Sequence, residues 1–78
     1  MSIMFEVYYR TPIDEQRETR ILREVTRHGG GLTYEEKPQC PETSAICLTY
    51  EFNDRKSAED AARVLRELGE HVEGPGDY

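Results

Sequence analysis

Two cysteines, Cys40 and Cys47, and two histidines, His28 and His71, are the residues of this chain whose chemistry could go beyond packing. The cysteines bracket the segment PETSAI. A zinc or dithiol site built from neighbouring cysteines normally uses C-x-x-C spacing, which lets both sulfurs reach one ion or each other. The 40–47 spacing lacks it. If Cys47 lies on a strand, a rise of about 3.3 Å per residue carries it more than about 10 Å from Thr43. A disulfide needs α-carbons within about 7 Å. Two independent, reduced thiols are expected. A nucleophilic Cys47 would need a cation or base beside it, and Ala45, Thr49 and Glu51 supply none. His28, His71 and Cys40 match no usual zinc spacing, so neither a metal nor another cofactor is expected.

The charged residues exclude some classes of partner. Arg17, Arg20, Arg23 and Arg27 give one segment a basic look, but Glu15, Glu18 and Glu24 are interleaved with them. Pairs three or four apart on a helix contribute a few tenths of a kcal/mol each, roughly, and describe a solvated face. The chain holds 16 acidic against 10 basic residues. That is the wrong sign for neutralising phosphates, so no nucleic-acid partner is expected. No apolar run approaches the length of a membrane span. Residues 2–5 show no basic start followed by an apolar stretch, so no secretory signal is expected and a cytoplasmic location is the default.

Positioning any site falls to a short series of elements. Residues 3–10, IMFEVYYR, alternate as a strand, with Phe5, Val7 and Tyr9 on one face and Met4, Glu6, Tyr8 and Arg10 on the other. Thr11 and Pro12 read as the N-cap and first position of a helix reaching His28. Its stripe is Ile13, Ile21, Leu22 and Val25, with the stem of Arg17. Gly29, Gly30 and Gly31 end it. Residues 32–37 read as a second strand, with Leu32 and Tyr34 inward and Thr33, Glu35 and Lys37 outward. Residues 38–43 connect it to the clearest strand, 44–53, where Ile46, Leu48, Tyr50 and Phe52 alternate with Ala45, Cys47, Thr49 and Glu51. Ser57 opens a possible capping box before a helix to Leu68. Ala58, Ala61, Ala62, Leu65 and Leu68 form its packing side. His71, Val72 and Glu73 make a short last strand that Gly74, Pro75 and Gly76 break.

The order β-α-β-β-α-β predicts an α+β, ferredoxin-like two-layer sandwich, one small domain over residues 1–78, with antiparallel strand order 4-1-3-2. The first and third strands, the most apolar, are then central. In this order alone the chain resembles small-molecule-sensing ACT domains and other ferredoxin-like modules. An RNA-recognition module would carry aromatic residues on its third strand, where Cys47, Thr49 and Glu51 stand instead. An acylphosphatase would place a glycine-bearing anion loop after its first strand, where Arg10 is followed by TPIDE.

One sheet face therefore starts uncovered. Met4, Tyr8, Cys47 and Thr49 are the interface candidates on it, bordered by Glu6, Glu35, Glu51, Arg10 and Lys37. A small apolar centre within a charged rim is the anatomy of a transient protein interface. The expected function is a protein-binding or assembly module, with a second copy or another protein as partner. The alternative is a small enzyme or sensing domain that gathers Arg10, His28, His71 or Cys47 around an anionic ligand. No convergent catalytic set is visible, which points away from an enzyme.

Overall fold

The computed structural model describes residues 2–37 and 45–77, so the expectations for Cys40 and the 38–43 connection, and for Tyr78, lie outside the described residues. Its elements are β1 (Ile3–Arg10), α1 (Glu15–Arg27), β2 (Gly31–Glu36), β3 (Ala45–Phe52), α2 (Arg55–Glu67) and β4 (His71–Asp77). They form an antiparallel sheet in the order β2-β3-β1-β4, the expected 4-1-3-2 read from the other edge. The fold is a ferredoxin-like α+β sandwich. Ile21 and Val25 of α1 share one buried cluster with Ala58, Ala61, Ala62 and Leu65 of α2 and the inward residues of β1, β3 and β4. Both helices thus cover the same sheet face. The alanines of α2 carry little bulk, which lets that helix lie close against the strands.

The helix starts differ from the expectation, because an aspartate outcompetes the hydroxyl residues. Asp14, not Thr11, caps α1, its carboxylate accepting the Arg17 N–H. Asp54, not Ser57, caps α2. It accepts both the backbone N–H and the hydroxyl of Ser57, which is therefore the third helical residue. These bonds, the backbone one first, hold the Asp54 carboxyl below its usual range. With α1 starting later, Ile13 precedes the helix and is exposed. Leu22 and Leu68 are also exposed: Leu22 flanks the narrow stripe of Ile21 and Val25, and Leu68 is already the C-cap of α2.

Both helices end in the same left-handed turn. Gly29 (φ +86°) and Gly69 (φ +94°) occupy the position after the cap, and the next residue returns its N–H to a carbonyl five back, Gly30 to Val25 and Glu70 to Leu65. The residue after such a glycine turns in toward the core. At Gly30 a β-carbon would stand 2.4 Å from the Phe52 ring, so only glycine fits there.

β4 runs through the Gly-Pro-Gly segment that was expected to break it. An irregularity in its pairing lies opposite the Met4–Glu6 stretch, and Gly74 (φ +104°) passes over the Phe5 backbone. β4 is an edge strand, where a proline costs no ladder bond on its solvent side. Arg66 reaches from α2 to donate to the carbonyls of Val72 (3.0 Å) and Gly74 (2.7 Å). At the other edge, β2 carries a bulge between Leu32 and Tyr34 and ends in Glu35 and Glu36. Prolines, bulges and charges are the devices that keep an edge from pairing with another strand. No helix of the described residues is long and apolar enough to cross a membrane.

Candidate functional site

The register places the outward residues in rows across the uncovered face. One row runs Glu36, Cys47, Tyr8, His71; the next runs Tyr34, Thr49, Glu6, Glu73; a third holds Glu51 beside Met4. Directly opposed residues point to the same side. All four interface candidates therefore share the face. Tyr8 and Cys47 are direct neighbours, Thr49 lies next to them, and Met4 lies beyond Glu6.

The bulge in β2 corrects the expected border. Its extra residue reverses the alternation after Leu32. Tyr34, expected inward, pairs with Thr49 and is 60% exposed on the open face. Glu36 joins it there. Glu35 instead pairs with Leu48 on the helix side, and Lys37 reaches Glu18 of α1 at 3.0 Å. Glu6, assigned to the border, sits in the middle. It accepts from the Tyr8 hydroxyl at 3.2 Å and faces the Cys47 thiol at 3.6 Å.

This geometry sets the chemistry of the face. Burial pushes the Cys47 thiol up, and the Glu6 carboxylate adds to the shift. A protonated thiol at neutral pH is a poor nucleophile. The Tyr8 proton is held well above its usual range, first by the neighbouring Cys47 thiol and then by burial. His71 pairs with Glu73 at 2.7 Å and meets the Tyr8 ring edge-on at 6.0 Å. One strand width, about 4.8 Å, separates neighbouring columns. Tyr8 thus stands between the thiol and the imidazole, which are too far apart to act as nucleophile and base. His28 is elsewhere, its Nδ1 donating to the Glu24 carbonyl at 2.8 Å. Arg10 pairs with Ala45 one row beyond Tyr8. Among the described residues no group of three His, Cys, Asp or Glu is placed to hold a metal.

A second polar cluster lies on the helix side. Arg17 forms a two-pronged pair with Glu70 (Nε to Oε1 2.9 Å, Nη2 to Oε1 2.8 Å) and covers the Tyr9 ring at 4.9 Å. Tyr9 donates to Glu18 and receives the Asp14 N–H. From the sequence, Arg17 was expected to supply an apolar stem and ion pairs within its own helix, not a partner distant in the chain. The missed signal was Glu70: the residue after a C-capping glycine normally makes an apolar contact back to its helix. A carboxylate there needs a cation.

Alkaline pH tests these placements. Burial pushes Tyr9 up to about 12, and burial likewise raises Tyr50. A folded-state pKa raised above the unfolded value of about 10 adds stability that is whole below pH 10 and is lost as pH rises. The tyrosinate absorbance of Tyr8, Tyr9 and Tyr50 should therefore appear together with loss of the circular-dichroism signal near pH 11–12. Full ionisation of these three at pH 10.5 in a folded protein would contradict the burial of Tyr9 and Tyr50 and the placement of Tyr8 beside Cys47 and Glu6.

The chain matches no protein-family model, and no curated protein sequence matches it.

Proposed function

We propose that the protein is a small binding module whose open sheet face takes a partner protein presenting basic residues around an apolar centre. The composition of that face carries the reading. Met4, Tyr8, Tyr34, Cys47 and Thr49 lie together on it, among Glu6, Glu36, Glu51 and Glu73, and Arg10 is the one permanent cation that the register places there among the described residues. Tyrosine and methionine suit interface centres, and complementary charge steers a basic partner to them. A second copy fits less well, because a face-to-face pair would oppose the carboxylates of one copy to those of the other. The sheet edges are guarded by Arg66, Pro75 and the β2 bulge, which favours the face over strand addition.

Tyr8→Glu tests this reading, since it puts one more carboxylate at the centre of the face without touching the core. A basic protein captured by the wild type at low salt should be released by salt and bound at least about tenfold more weakly by the variant, the scale of a central anchor residue. The circular-dichroism spectrum should not change. Light scattering at high micromolar concentration should give a monomer. A dimer abolished by Tyr8→Glu would replace the heterologous partner by a second copy. Capture indifferent to both salt and Tyr8→Glu would end the reading.

A further inference from the structure

The helix side of the sheet holds a groove that the open face does not explain. It lies between α1 and the β2–β3 strands, with a volume of about 270 Å³. Leu22 and Leu32 form its walls and Leu48 and Tyr50 its floor, while Glu15, Glu18 and Thr19 line the α1 side. Its origin is in the sequence. The first half of α1, Glu15 to Arg20, contains no apolar residue, so the helix is held there by polar bonds to Glu70, Tyr9 and Lys37 instead of by packing. Only Ile21 and Val25 are buried, and β2 beneath the helix stays exposed. Leu22 and Leu32 are left 38% and 42% exposed on facing walls.

Two features of the groove are polar, and they agree in sign. Glu15 and Glu18 line it, and Glu35 flanks its floor beside Leu48. Lys37 balances one of these carboxylates, at 3.0 Å from Glu18 and 3.7 Å from Glu35. Arg23 lines an adjoining, more open depression that shares Glu15 and Thr19 with the groove. Tyr50 is 1% exposed and no hydrogen bond of its hydroxyl is seen among the described residues; since no fully buried side-chain N or O atom there lacks a partner, this oxygen opens to the groove. Burial first, and then the charges of Glu18 and Glu35, raise its pKa. A phenol oxygen left with spare acceptor capacity in a mostly apolar, negative cleft suits a donor carrying positive charge.

We infer that the groove between α1 and β2 binds an organic ammonium group on a short apolar body, with the body between Leu22 and Leu32 and the N–H donors shared between Tyr50 and the Glu15 and Glu18 carboxylates. This reverses the charge expected for a small ligand from sequence, where an anion was the alternative. It stands apart from the open-face reading, since the two surfaces lie on opposite sides of the sheet. A free amine and a lysine side chain of another protein offer the same chemistry, and the probes below separate them.

The experiment is an NMR titration of the full chain with phenethylammonium, hexanoate and Nα-acetyl-lysine amide, reading the methyl groups of Leu22, Leu32 and Leu48. Phenethylammonium should shift them saturably with a dissociation constant of about a millimolar, the range open to a ligand of nine heavy atoms. Hexanoate should not. Tighter binding of the acetyl-lysine amide would assign the groove to a partner's lysine, and tighter binding of phenethylammonium to a free amine. Tyr50→Phe removes an oxygen on which the fold does not draw, so it should keep the stability and weaken amine binding about fivefold. Leu32→Lys, at an exposed edge position, should abolish it. Equal binding of hexanoate, no saturable shift with either amine, or amine binding unchanged in both variants would overturn the inference.

Discussion

Replacing Arg17 by methionine should destabilise the fold by about 2–3 kcal/mol. The substitution keeps an unbranched stem to pack on Tyr9 but removes the only cation bonded to Glu70 among the described residues. The Glu70 side chain is 5% exposed, and its carboxylate would be left buried and unpaired. Breaking a fully buried pair from one side costs about 3–5 kcal/mol. Arg17 is 32% exposed, so water reaches one side of the pair and the lower figure applies. The double variant Arg17→Met/Glu70→Met should recover most of the loss, because it removes the stranded charge as well. Urea unfolding followed by circular dichroism measures both. A single variant within about 0.5 kcal/mol of the wild type, the usual range for an exposed position, would show that the pair is a surface contact and that α1 is held in some other way.

Phe5→Ala should cost more, about 3–5 kcal/mol. Phe5 is fully buried at the middle of β1, with ring centroids 5.8 Å from Tyr50 and 5.2 Å from Phe52. Gly74 crosses its backbone on one side, so the strands cannot close over the space left behind. At about 0.05–0.15 kcal/mol per residue, a chain of this length has only about 4–12 kcal/mol in all. The variant should be largely unfolded at 37 °C or show a urea midpoint lowered by more than a third. A midpoint shift below about a tenth would mean that the aromatic centre of the sheet is not where the stability lies.

The parts of the fold that were legible in the sequence are those with a strong period. Strict alternation in β1 and β3 and the alanine face of α2 placed the central strands, the buried cluster and the helix layer. The four residues expected on the open face lie on it for the same reason: a strand of unbroken period two leaves no choice of side. What was not legible depended on a single residue of register or on a contact distant in the chain. The β2 bulge adds one residue opposite Thr49, which moves Tyr34 and Glu36 to the open face and Glu35 and Lys37 away from it. Nothing local in LTYEEK marks that bulge. The pairing of Arg17 with Glu70 spans 53 residues and joins α1 to the turn after α2, so only the odd chemistry of a glutamate after Gly69 hinted at it. The groove traces to the half of α1, Glu15 to Arg20, that carries no apolar residue.

The two proposed surfaces, one on each side of the sheet, make the central claim directly measurable through their methyl groups. Met4 and Thr49 stand on the open face, and Leu22 and Leu32 on the helix side. Titration of the isotope-labelled protein with a short peptide of arginines flanking one aromatic residue, at low salt, should shift the Met4 and Thr49 methyl resonances and spare those of Leu22 and Leu32. Added salt should reverse the shifts as charges are screened beyond about 10 Å. Shifts confined to Leu22 and Leu32, or spread evenly over both sides, would contradict the claim that the open face is the protein-binding surface.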